Sequence, residues 1–323
     1  TPTTSWQWQR SADGSTGWAN ISGATSSTYT LVSADDTNYV RAVQTETNAL
    51  GSDSANSAAS AQISDVPAFT GLLDTYSGAA AAYSLRQLSS TYTGDAVLVR
   101  RDSDNATQSI GFVDNELDTA SLDSFCSGTG GFVVTWYDQS GNGNDVTQST
   151  ASNQPRIYLN TSVEIEGTKP AFDFLTGGNL IGASGYSFTD FAVFSVIHSD
   201  VTTAYPVSCQ SNNSYGWRQH ISGNSTFRSR MFNVNIDTSG TPTTDYTLLS
   251  TLSYGNNGYT FVDGVQEATA SVTPAADTPA NFEIGSALSV SATLYNGRMQ
   301  EVVVYDSDQS ANSSGIHTNI NDF

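Results

Sequence analysis

Short runs of alternating apolar and polar residues, most of them ended by Gly, Asn or Asp, recur along the whole chain. Residues 6–9 and 39–43 are two early examples. Alternation with a period of two is typical of strands buried on one face, and Gly, Asn and Asp are typical of the turns between strands. The pattern predicts an all-β protein built of β-sandwiches or jelly rolls, with at most a few short helices.

The charge balance is strongly acidic. Asp and Glu number 31 against 11 Lys and Arg, which gives a net charge of −20, and Lys169 is the single lysine. Binding to nucleic-acid phosphates depends on clustered cations, and docking on anionic membranes needs the same feature, so both partner classes are disfavoured. No apolar run approaches the ~20 residues that span a bilayer. High acidity with little lysine favours an extracellular setting.

Residues 1–66 form the first predicted domain, and residues 67–323 the second. Asp35-x-x-x-Tyr39-x-Arg41 has the spacing of the tyrosine corner of immunoglobulin-like sandwiches. The segment resembles the Ig-like repeats found in tandem on large bacterial surface proteins and phage fibres. Such repeats carry two further strands before the Trp strand, so this domain is expected to be incomplete at its N-terminus. A missing segment or another chain would complete it, since the sheet would otherwise expose an edge.

The second domain is expected to be mostly strands with three short helices. Helical spacing predicts an amphipathic helix over residues 78–89, a second over 119–126 capped by Thr119, and a terminal helix within 307–323. Strands are predicted at residues 132–137, 171–174, 191–197, 246–252, 259–262, 282–284 and 299–305. The order of strands and turns over residues 160–323 resembles a concanavalin A-like (laminin G-like) jelly roll.

The sequence Trp-Tyr-Asp-Gln-Ser-Gly-Asn-Gly-Asn-Asp at residues 136–145, preceded by Cys126, is the most specific motif. It resembles the catalytic domain of α-L-arabinofuranosidase B, itself a concanavalin A-like sandwich, and the combined resemblance covers about residues 72–323. The family implies a retaining glycosidase with two carboxyl groups, a nucleophile and a general acid/base.

The resemblance does not carry both carboxyl groups across. The stretch matching the nucleophile offers Gln219 and His220, and Ala287 stands at the position matching the acid/base. Neither Gln nor Ala can form a glycosyl ester or donate a proton to the leaving oxygen. We therefore expect no catalysis. Other carboxylates on predicted strands or turn ends are expected to be solvated; they are Glu283, Glu301, Asp263 and Asp306.

A sugar-binding set is predicted near the same stretch, because sugars bind to aromatic faces flanked by amides. The candidate carbohydrate-binding residues are Tyr215, Trp217, Gln219, His220 and Asn224. The alternative interpretation is that Trp217 is an ordinary core residue.

Calcium is the one cofactor that the sequence suggests. Asp138, Ser140, Asn142 and Asn144 place oxygen side chains at alternate positions, as calcium loops do, but the twelfth position is Ser149 instead of the bidentate Glu of an EF-hand. The alternative is a Gly/Asn-rich turn that bonds to its own backbone. Cys126 and Cys209 could pair or remain free.

These observations lead to one expectation of function and two alternatives. We expect a non-catalytic display or adhesion module at a virion surface, in a head or tail fibre, that binds cell-surface glycans or other virion proteins and assembles as an oligomer. The alternatives are a bacterial surface adhesin and an active arabinofuranosidase-like retaining glycosidase. All three imply an extracellular location.

Overall fold

The computed structural model describes residues 2–64, 68–174, 178–182, 189–201, 203–212, 215–222, 226–239, 246–274, 281–287 and 291–323, without the side chains of 210–212, 215 and 291–293. The chain forms two compact units: Thr1–Thr70 with Val113–Asn115, and Gly71–Phe112 with Glu116–Phe323. Residues 65–67, at the predicted boundary between the two domains, lie outside the described residues. Within the described part of the chain, no helix is long and apolar enough to cross a membrane.

The first unit is a small antiparallel sheet with the order β2-β1-β3-β4. Its strands are β1 (Thr3–Ser11), β2 (Ala19–Asn20), β3 (Tyr39–Asn48) and β4 (Gly51–Asn56), and a 3₁₀ turn covers Ser33–Asp35. Asp35 is fully buried, accepts a hydrogen bond from the Tyr29 hydroxyl at 2.9 Å and pairs with Arg10 at 2.7 Å. Asp35, the carboxylate of the predicted tyrosine corner, thus anchors Tyr29. The tyrosine of the predicted spacing is Tyr39.

The second unit is nearly all β, as the alternation predicts. The first group of its strands is β5 (Ala81–Ser84), β6 (Val97–Arg101), β7 (Thr107–Ile110), β8 (Phe112–Val113), β9 (Glu116–Leu117), β10 (Gly130–Trp136), β11 (Val146–Thr147), β12 (Arg156–Leu159), β13 (Ser162–Val163), β14 (Ile165–Glu166), β15 (Lys169–Pro170) and β16 (Phe172–Phe174). The second group is β17 (Leu180–Gly182), β18 (Phe191–Ser199), β19 (Val207–Asn212), β20 (Tyr215–Ser222), β21 (Thr226–Met231), β22 (Val234–Asp237), β23 (Thr247–Tyr254), β24 (Asn257–Val262), β25 (Val265–Ser271), β26 (Asn281–Ile284), β27 (Ser286–Ala287), β28 (Ser291–Leu294) and β29 (Gly297–Tyr305). The helices are α1 (Leu72–Thr75), α2 (Thr119–Cys126) and α3 (Ser313–Asn321), with a 3₁₀ turn at Ala151–Asn153.

Strands β5, β29, β18, β23 and β24 form a central sheet that is apolar on both faces. Along β18, Phe191 and Val193 point into the main core, while Ala192 and Phe194 point into a second cluster. Leu72 of α1 and Ile316 of α3 belong to that second cluster, so these helices cover the sheet. Burial on both sides explains the continuous apolar runs of β18 and β29.

A second antiparallel sheet packs across the main core in the order β17-β26-β19-β20-β21-β22. Its core face carries Phe282, Cys209, Trp217 and Met231, which stand opposite one another on β26, β19, β20 and β21. Together the two sheets make the predicted jelly-roll-like β-sandwich. The second sheet presents its other face away from the core.

One predicted helix is wrong. Residues 78–89 contain the strand β5, in which Ala81 and Tyr83 point to the main core and Ala82 to the second cluster. Alanine and leucine have high intrinsic helix propensity, but tertiary contacts routinely override propensity, and pairing with β29 does so here. The seven predicted strands are confirmed, and α2 begins and ends where expected. Its cap is Asp118, which accepts a hydrogen bond from the Ser121 amide at 2.9 Å, and not Thr119.

His317 gives the second unit a pH-dependent stability. Its ring packs against Phe194 and Phe261, with ring centroids 5.3 and 5.1 Å away, and its Nε2 lies 3.0 Å from Ser250 Oγ. Burial lowers the pKa of His317 from 6.5 to about 4. Between these values the unfolded chain binds more protons than the folded one, so stability falls as pH decreases from about 6.5 towards 4.

We expect His317→Gln to reduce the slope of the free energy of unfolding against pH by the amount that corresponds to about one bound proton. Urea unfolding at successive pH values measures this slope. The unmodified chain is measured alongside as the reference. An unchanged slope in His317→Gln would contradict the assignment.

Candidate functional site

The candidate site lies on the face of the second sheet that points away from the core. Strand pairing aligns Glu283 with Ser208, Ser208 with Arg218 and Arg218 with Arg230, so these four side chains form one row across β26, β19, β20 and β21. Directly opposed residues of antiparallel strands share a face. We call this row and its neighbours the outer face.

Glu283 is a buried carboxylate, only 2% exposed. The Ser286 hydroxyl donates to its Oε2 at 2.9 Å, and the Ser208 hydroxyl donates to the Ser286 carbonyl oxygen at 2.9 Å. Asn179 Nδ2 donates to Ser286 Oγ at 3.4 Å, and Gln148 Nε2 donates to Asn179 Oδ1 at 2.6 Å. All five residues are buried. A carboxylate in such a low-dielectric network is held in one orientation and interacts strongly with nearby charge.

Cationic side chains extend the outer face beyond Ser208. Arg218 stands opposite Arg230, and His220 stands opposite Arg228. Tyr205 stacks on the His220 ring at 4.6 Å between centroids, and the Arg218 guanidinium lies 4.9 Å from the centre of the same Tyr205 ring. Burial, with help from the neighbouring arginines, lowers the pKa of His220 from 6.5 to about 4, so the ring is neutral near pH 7. The outer face thus combines one buried carboxylate with a positive region.

The predicted sugar-binding set does not form one surface. Trp217 is 1% exposed and stacks on Phe191 in the main core at 5.6 Å, which favours the alternative interpretation of a core residue. Gln219 points into the same core, where it accepts a hydrogen bond from Ser195 Oγ at 2.6 Å and donates to the Leu249 carbonyl at 3.0 Å. His220, on the next position of β20, points to the outer face. The Tyr215 side chain and all of Asn224 lie outside the described residues.

The loop predicted as a calcium site is already saturated with protein donors. Asp138 Oδ1 accepts from the backbone amides of Ala82 at 2.8 Å and Ser140 at 2.9 Å, and Oδ2 accepts from Ser140 Oγ at 2.7 Å and the Asn144 amide at 3.0 Å. Asn142 and Asn144 turn their amide groups towards the Ala80 carbonyl. The described residues hold no cluster of three or more His, Cys, Asp or Glu suited to a metal ion. This geometry favours the self-bonded turn, which fastens the loop to β5.

The Asp138 carboxylate is expected to contribute strongly to stability. Asp138→Ala removes the acceptor of four hydrogen bonds and leaves buried donors without partners, so we expect the free energy of unfolding to fall by about 3 kcal/mol. Asp306→Ala, at an exposed position of the same unit, is the control and should change it by less than about 0.5 kcal/mol. Chemical denaturation measures both. Equal stability of the two variants would show that the loop bonds are dispensable.

The remaining sequence candidates fall into two groups. Asp263 and Asp306 are exposed, as expected, whereas Glu283 and Glu301 are buried, and the expectation that they are solvated is wrong. Glu301 pairs with Arg86 through two hydrogen bonds of 2.8 and 3.0 Å and is a structural ion pair. Cys126 and Cys209 are both buried and form no disulfide with each other.

Sequence reasoning did not single out Arg218, Ser208 or Ser286. A usable signal was present, because Arg218 and His220 alternate with Trp217 and Gln219 along β20. Strand alternation places the two pairs on opposite faces, so a set containing both could not form one pocket wall.

Two family profiles match the chain. The profile described as "Alpha-L-arabinofuranosidase B, catalytic" matches residues 74–167, and a domain of unknown function, DUF8696, matches residues 1–64. The first match contains the Asp138 loop, β5 and α2, so the shared residues build the scaffold. The outer face lies C-terminal to the matched segment.

Curated relatives of the chain are also arabinofuranosidases. The chain is 42% identical over 71 residues to an α-L-arabinofuranosidase of Hypocrea jecorina, and 45% identical over 75 residues to a probable α-L-arabinofuranosidase B of Aspergillus terreus. Each match covers 22% of this chain, and the chain spans only 14% of the length of either relative.

Solved structures share the fold over a longer stretch. A glutamate-to-glutamine mutant of a GH54 α-L-arabinofuranosidase, soaked with 4-nitrophenyl α-L-arabinofuranoside, superposes with a TM-score of 0.62 at 15% identity, covering 75% of this chain and 62% of that one. An arabinofuranosidase complexed with arabinofuranosyl-α-1,2-xylobiose gives a TM-score of 0.60 at 16% identity, with the same coverage. The second unit is therefore a β-sandwich domain that resembles the catalytic domain of these enzymes.

These likenesses overturn our expectation of function. The profile of the second unit, the relatives and the superposed structures all describe glycosidases, and none describes a virion protein or an adhesin. The expectations of a non-catalytic display module and of a protein that is not an enzyme are both contradicted. They rested on the absence of carboxyl groups at Gln219 and Ala287, on the lysine-poor composition and on the expected incompleteness of the first domain, and they treated Glu283 as solvated, whereas it is buried on the outer face.

Proposed function

We propose that the second unit is a glycoside hydrolase acting on α-L-arabinofuranosides, with Glu283 as one of its reacting carboxyl groups. The observation that carries the proposal is the coincidence of two independent likenesses: a profile match over residues 74–167 and a shared fold over three quarters of the chain. Both lead to arabinofuranosidases.

The position of Glu283 supports its role. Glycoside hydrolysis uses carboxyl groups that are held in place and shielded from water, because charge develops on the sugar in the transition state. Glu283 is buried and fixed by Ser286. Among the described side chains of the outer face, the other carboxylate is Asp237, which is exposed and paired with Arg228.

A second carboxyl group is required by the usual mechanism, in which one carboxylate attacks and the other transfers the proton. Gln219 and Ala287 cannot supply it. The sequence carries Asp245 and Asp277 outside the described residues, and we propose these two as the candidates for the second role.

The test is hydrolysis of 4-nitrophenyl α-L-arabinofuranoside by the full chain, followed by release of 4-nitrophenol. We expect turnover of this substrate and little or none of the matching β-D-xylopyranoside or β-D-glucopyranoside. Asp245→Asn and Asp277→Asn are then assayed separately, and one of them should lose activity by about 10²–10⁴-fold. Absence of turnover above that of a heat-denatured sample would refute the proposed function.

An extracellular location accompanies this proposal, because polymers that carry arabinofuranosyl groups are too large to enter a cell intact. The acidic, lysine-poor composition agrees with that setting. For the first unit we propose an Ig-like spacer that holds the hydrolase domain, on the basis of its strand alternation and its tyrosine-corner spacing.

A further inference from the structure

A cavity lies against the face of the central sheet that carries the second cluster. Val196 of β18 and Ile320 of α3, both members of that cluster, line it together with Pro170 of β15. The main core and the second sheet lie on the other side of the central sheet, and packed sheets stand about 10 Å apart. The cavity is therefore distinct from the outer face and from Glu283.

Two exposed aromatic rings, Tyr246 and Phe323, also line this cavity; the residues are 51% and 41% exposed. The Tyr246 ring lies close to Gly167, where an added Cβ would come within 3.3 Å of it. Arg86 and Lys169 lie 4.7 and 4.0 Å from the centre of the Phe323 ring. Both rings are thus held in place without a ligand, and fixed aromatic faces beside polar groups are typical of sugar sites.

An irregularity of β29 turns a further polar side chain into the cavity. The pairing of β29 with β18 shifts between Met299 and Glu301, so Gln300 is the extra residue of a bulge, and it lines the cavity. Bulges re-aim side chains and are frequent beside functional sites. Gln300 Nε2 donates to the carbonyl oxygens of Glu166 and Lys169, at 3.1 and 3.3 Å. The β14–β15 hairpin is thereby fastened to the sheet as one wall of the cavity.

The charged side chains that line the cavity, among the described residues, all have partners of opposite charge or a histidine. Arg86 pairs with Glu301 at 2.8 Å, and Lys169, the single lysine of the chain, pairs with Glu116 at 2.6 Å. Glu166 contacts an imidazole and a guanidinium. An ionic ligand would have to displace one of these partners. Paired carboxylates and ammonium groups still have lone pairs and N–H groups for hydroxyls, so the lining favours a neutral, hydroxyl-rich ligand.

The size of the cavity limits how such a ligand enters. It encloses about 60 Å³, which is room for a few water-sized groups and too little for a whole sugar ring. A hydroxyl-bearing arm of a sugar fits inside, while the ring lies across the mouth against Tyr246 and Phe323.

We propose that this cavity is a second carbohydrate-binding site, which takes a neutral pentose residue of an oligosaccharide. Tyr246 and Phe323 contact the sugar ring, and Lys169 and Glu166 bond to its hydroxyls. The choice of a pentose rests on the proposed function, whereas the binding of a neutral sugar does not. A site on this side of the sandwich holds a part of the polymer other than the residue being cleaved, and so keeps the substrate close by.

Direct binding to the full chain tests the site without any turnover. The ligands are α-1,5-linked arabinotriose and β-1,4-linked xylotriose, with D-glucuronate and 4-methylphenol as the charged and the apolar comparator, each titrated by calorimetry. We expect one trisaccharide or both to bind about ten-fold more tightly than either comparator, since only a neutral sugar offers both an apolar face and uncharged hydroxyls. The two trisaccharides distinguish arabinose from xylose. A comparator that binds as tightly as both trisaccharides would overturn the proposal.

Tyr246→Ala is the informative variant, and we expect it to weaken the bound trisaccharide by about five-fold or more, as truncation of an aromatic contact residue does. Tyr246→Phe keeps the ring face and should bind as the unmodified chain does. Leu159→Ala truncates an exposed apolar side chain on β12, outside the cavity lining, and is the matched control. Thermal melting verifies that each variant is folded. Undiminished binding by both Tyr246→Ala and Phe323→Ala would place the sugar elsewhere and refute the assignment.

Glu283→Gln separates this inference from the proposed function. The variant should bind the trisaccharide as tightly as the unmodified chain, because the outer face lies across the main core from the cavity. Loss of binding in Glu283→Gln would assign the sugar to the outer face and contradict the second site. A chain without turnover whose sugar binding depends on Tyr246 keeps the second site and refutes the hydrolase, whereas turnover without such binding does the reverse.

Discussion

Glu283→Gln is expected to lower kcat/KM for 4-nitrophenyl α-L-arabinofuranoside by about 10²–10⁴-fold, with the protein still folded. Glutamine keeps the shape of the side chain and can still accept the hydrogen bond from Ser286, so packing is preserved while the reacting carboxylate is lost. Initial rates, together with thermal melting of both proteins, measure the effect. Glu267→Gln changes an exposed carboxylate on β25 and is the matched control, which should stay within two-fold of the unmodified protein.

Two variants distinguish the two roles open to Glu283. If Glu283 is the nucleophile, added azide should restore turnover of Glu283→Ala, whose short side chain leaves room for the anion, and give a glycosyl azide of inverted configuration. If it is the general acid, Glu283→Gln should lose even more activity on alkyl arabinofuranosides than on the 4-nitrophenyl substrate, because 4-nitrophenol leaves with little help from a proton donor. A Glu283→Gln protein as active as the Glu267→Gln control would remove Glu283 from the mechanism.

Trp217→Ala is expected to destabilise the second unit by about 3–5 kcal/mol, the usual cost of deleting a buried Trp side chain. The indole stacks on Phe191 and lies 6.2 Å from Phe282, at the centre of the main core. Urea unfolding measures the loss. Tyr246→Ala, which truncates a ring that is 51% exposed, is the control, and we expect a much smaller change.

This result also separates the two interpretations of Trp217. A sugar-stacking tryptophan would leave stability almost unchanged and weaken ligand binding, whereas a core tryptophan does the reverse. Near-normal stability of Trp217→Ala would therefore return the residue to the binding surface and contradict the packing described above.

Much of the fold was accessible from the sequence because alternation and turn residues act locally. Strands β10, β18 and β29 carry their own pattern, and α2 carries its own apolar face. The prediction for the segment around β5 was wrong for the opposite reason. Its alanines favour a helix locally, and what makes it a strand is pairing with β29, more than two hundred residues away.

The candidate site was less accessible. Gln219 and Ala287 were identified by matching the chain to the positions at which a family motif carries its catalytic carboxyl groups. Such matching finds only the residues that stand at those positions. Glu283 is placed on the outer face by its register with Ser208, which depends on how β19 and β26 pair. Burial of a strand carboxylate depends on the loops that cover it, and no local pattern encodes that.

The pairing of β5 with β29 has a consequence for synthesis. Ser84 and Arg86 bind Glu301, which follows them by 217 and 215 residues, and Arg86 also binds Asn319. On the ribosome, the earliest strand of the second unit must therefore wait, with its apolar faces exposed, until almost the whole unit has been translated. During that interval the unpaired strand is open to proteases and to aggregation, and slow translation would lengthen this exposure.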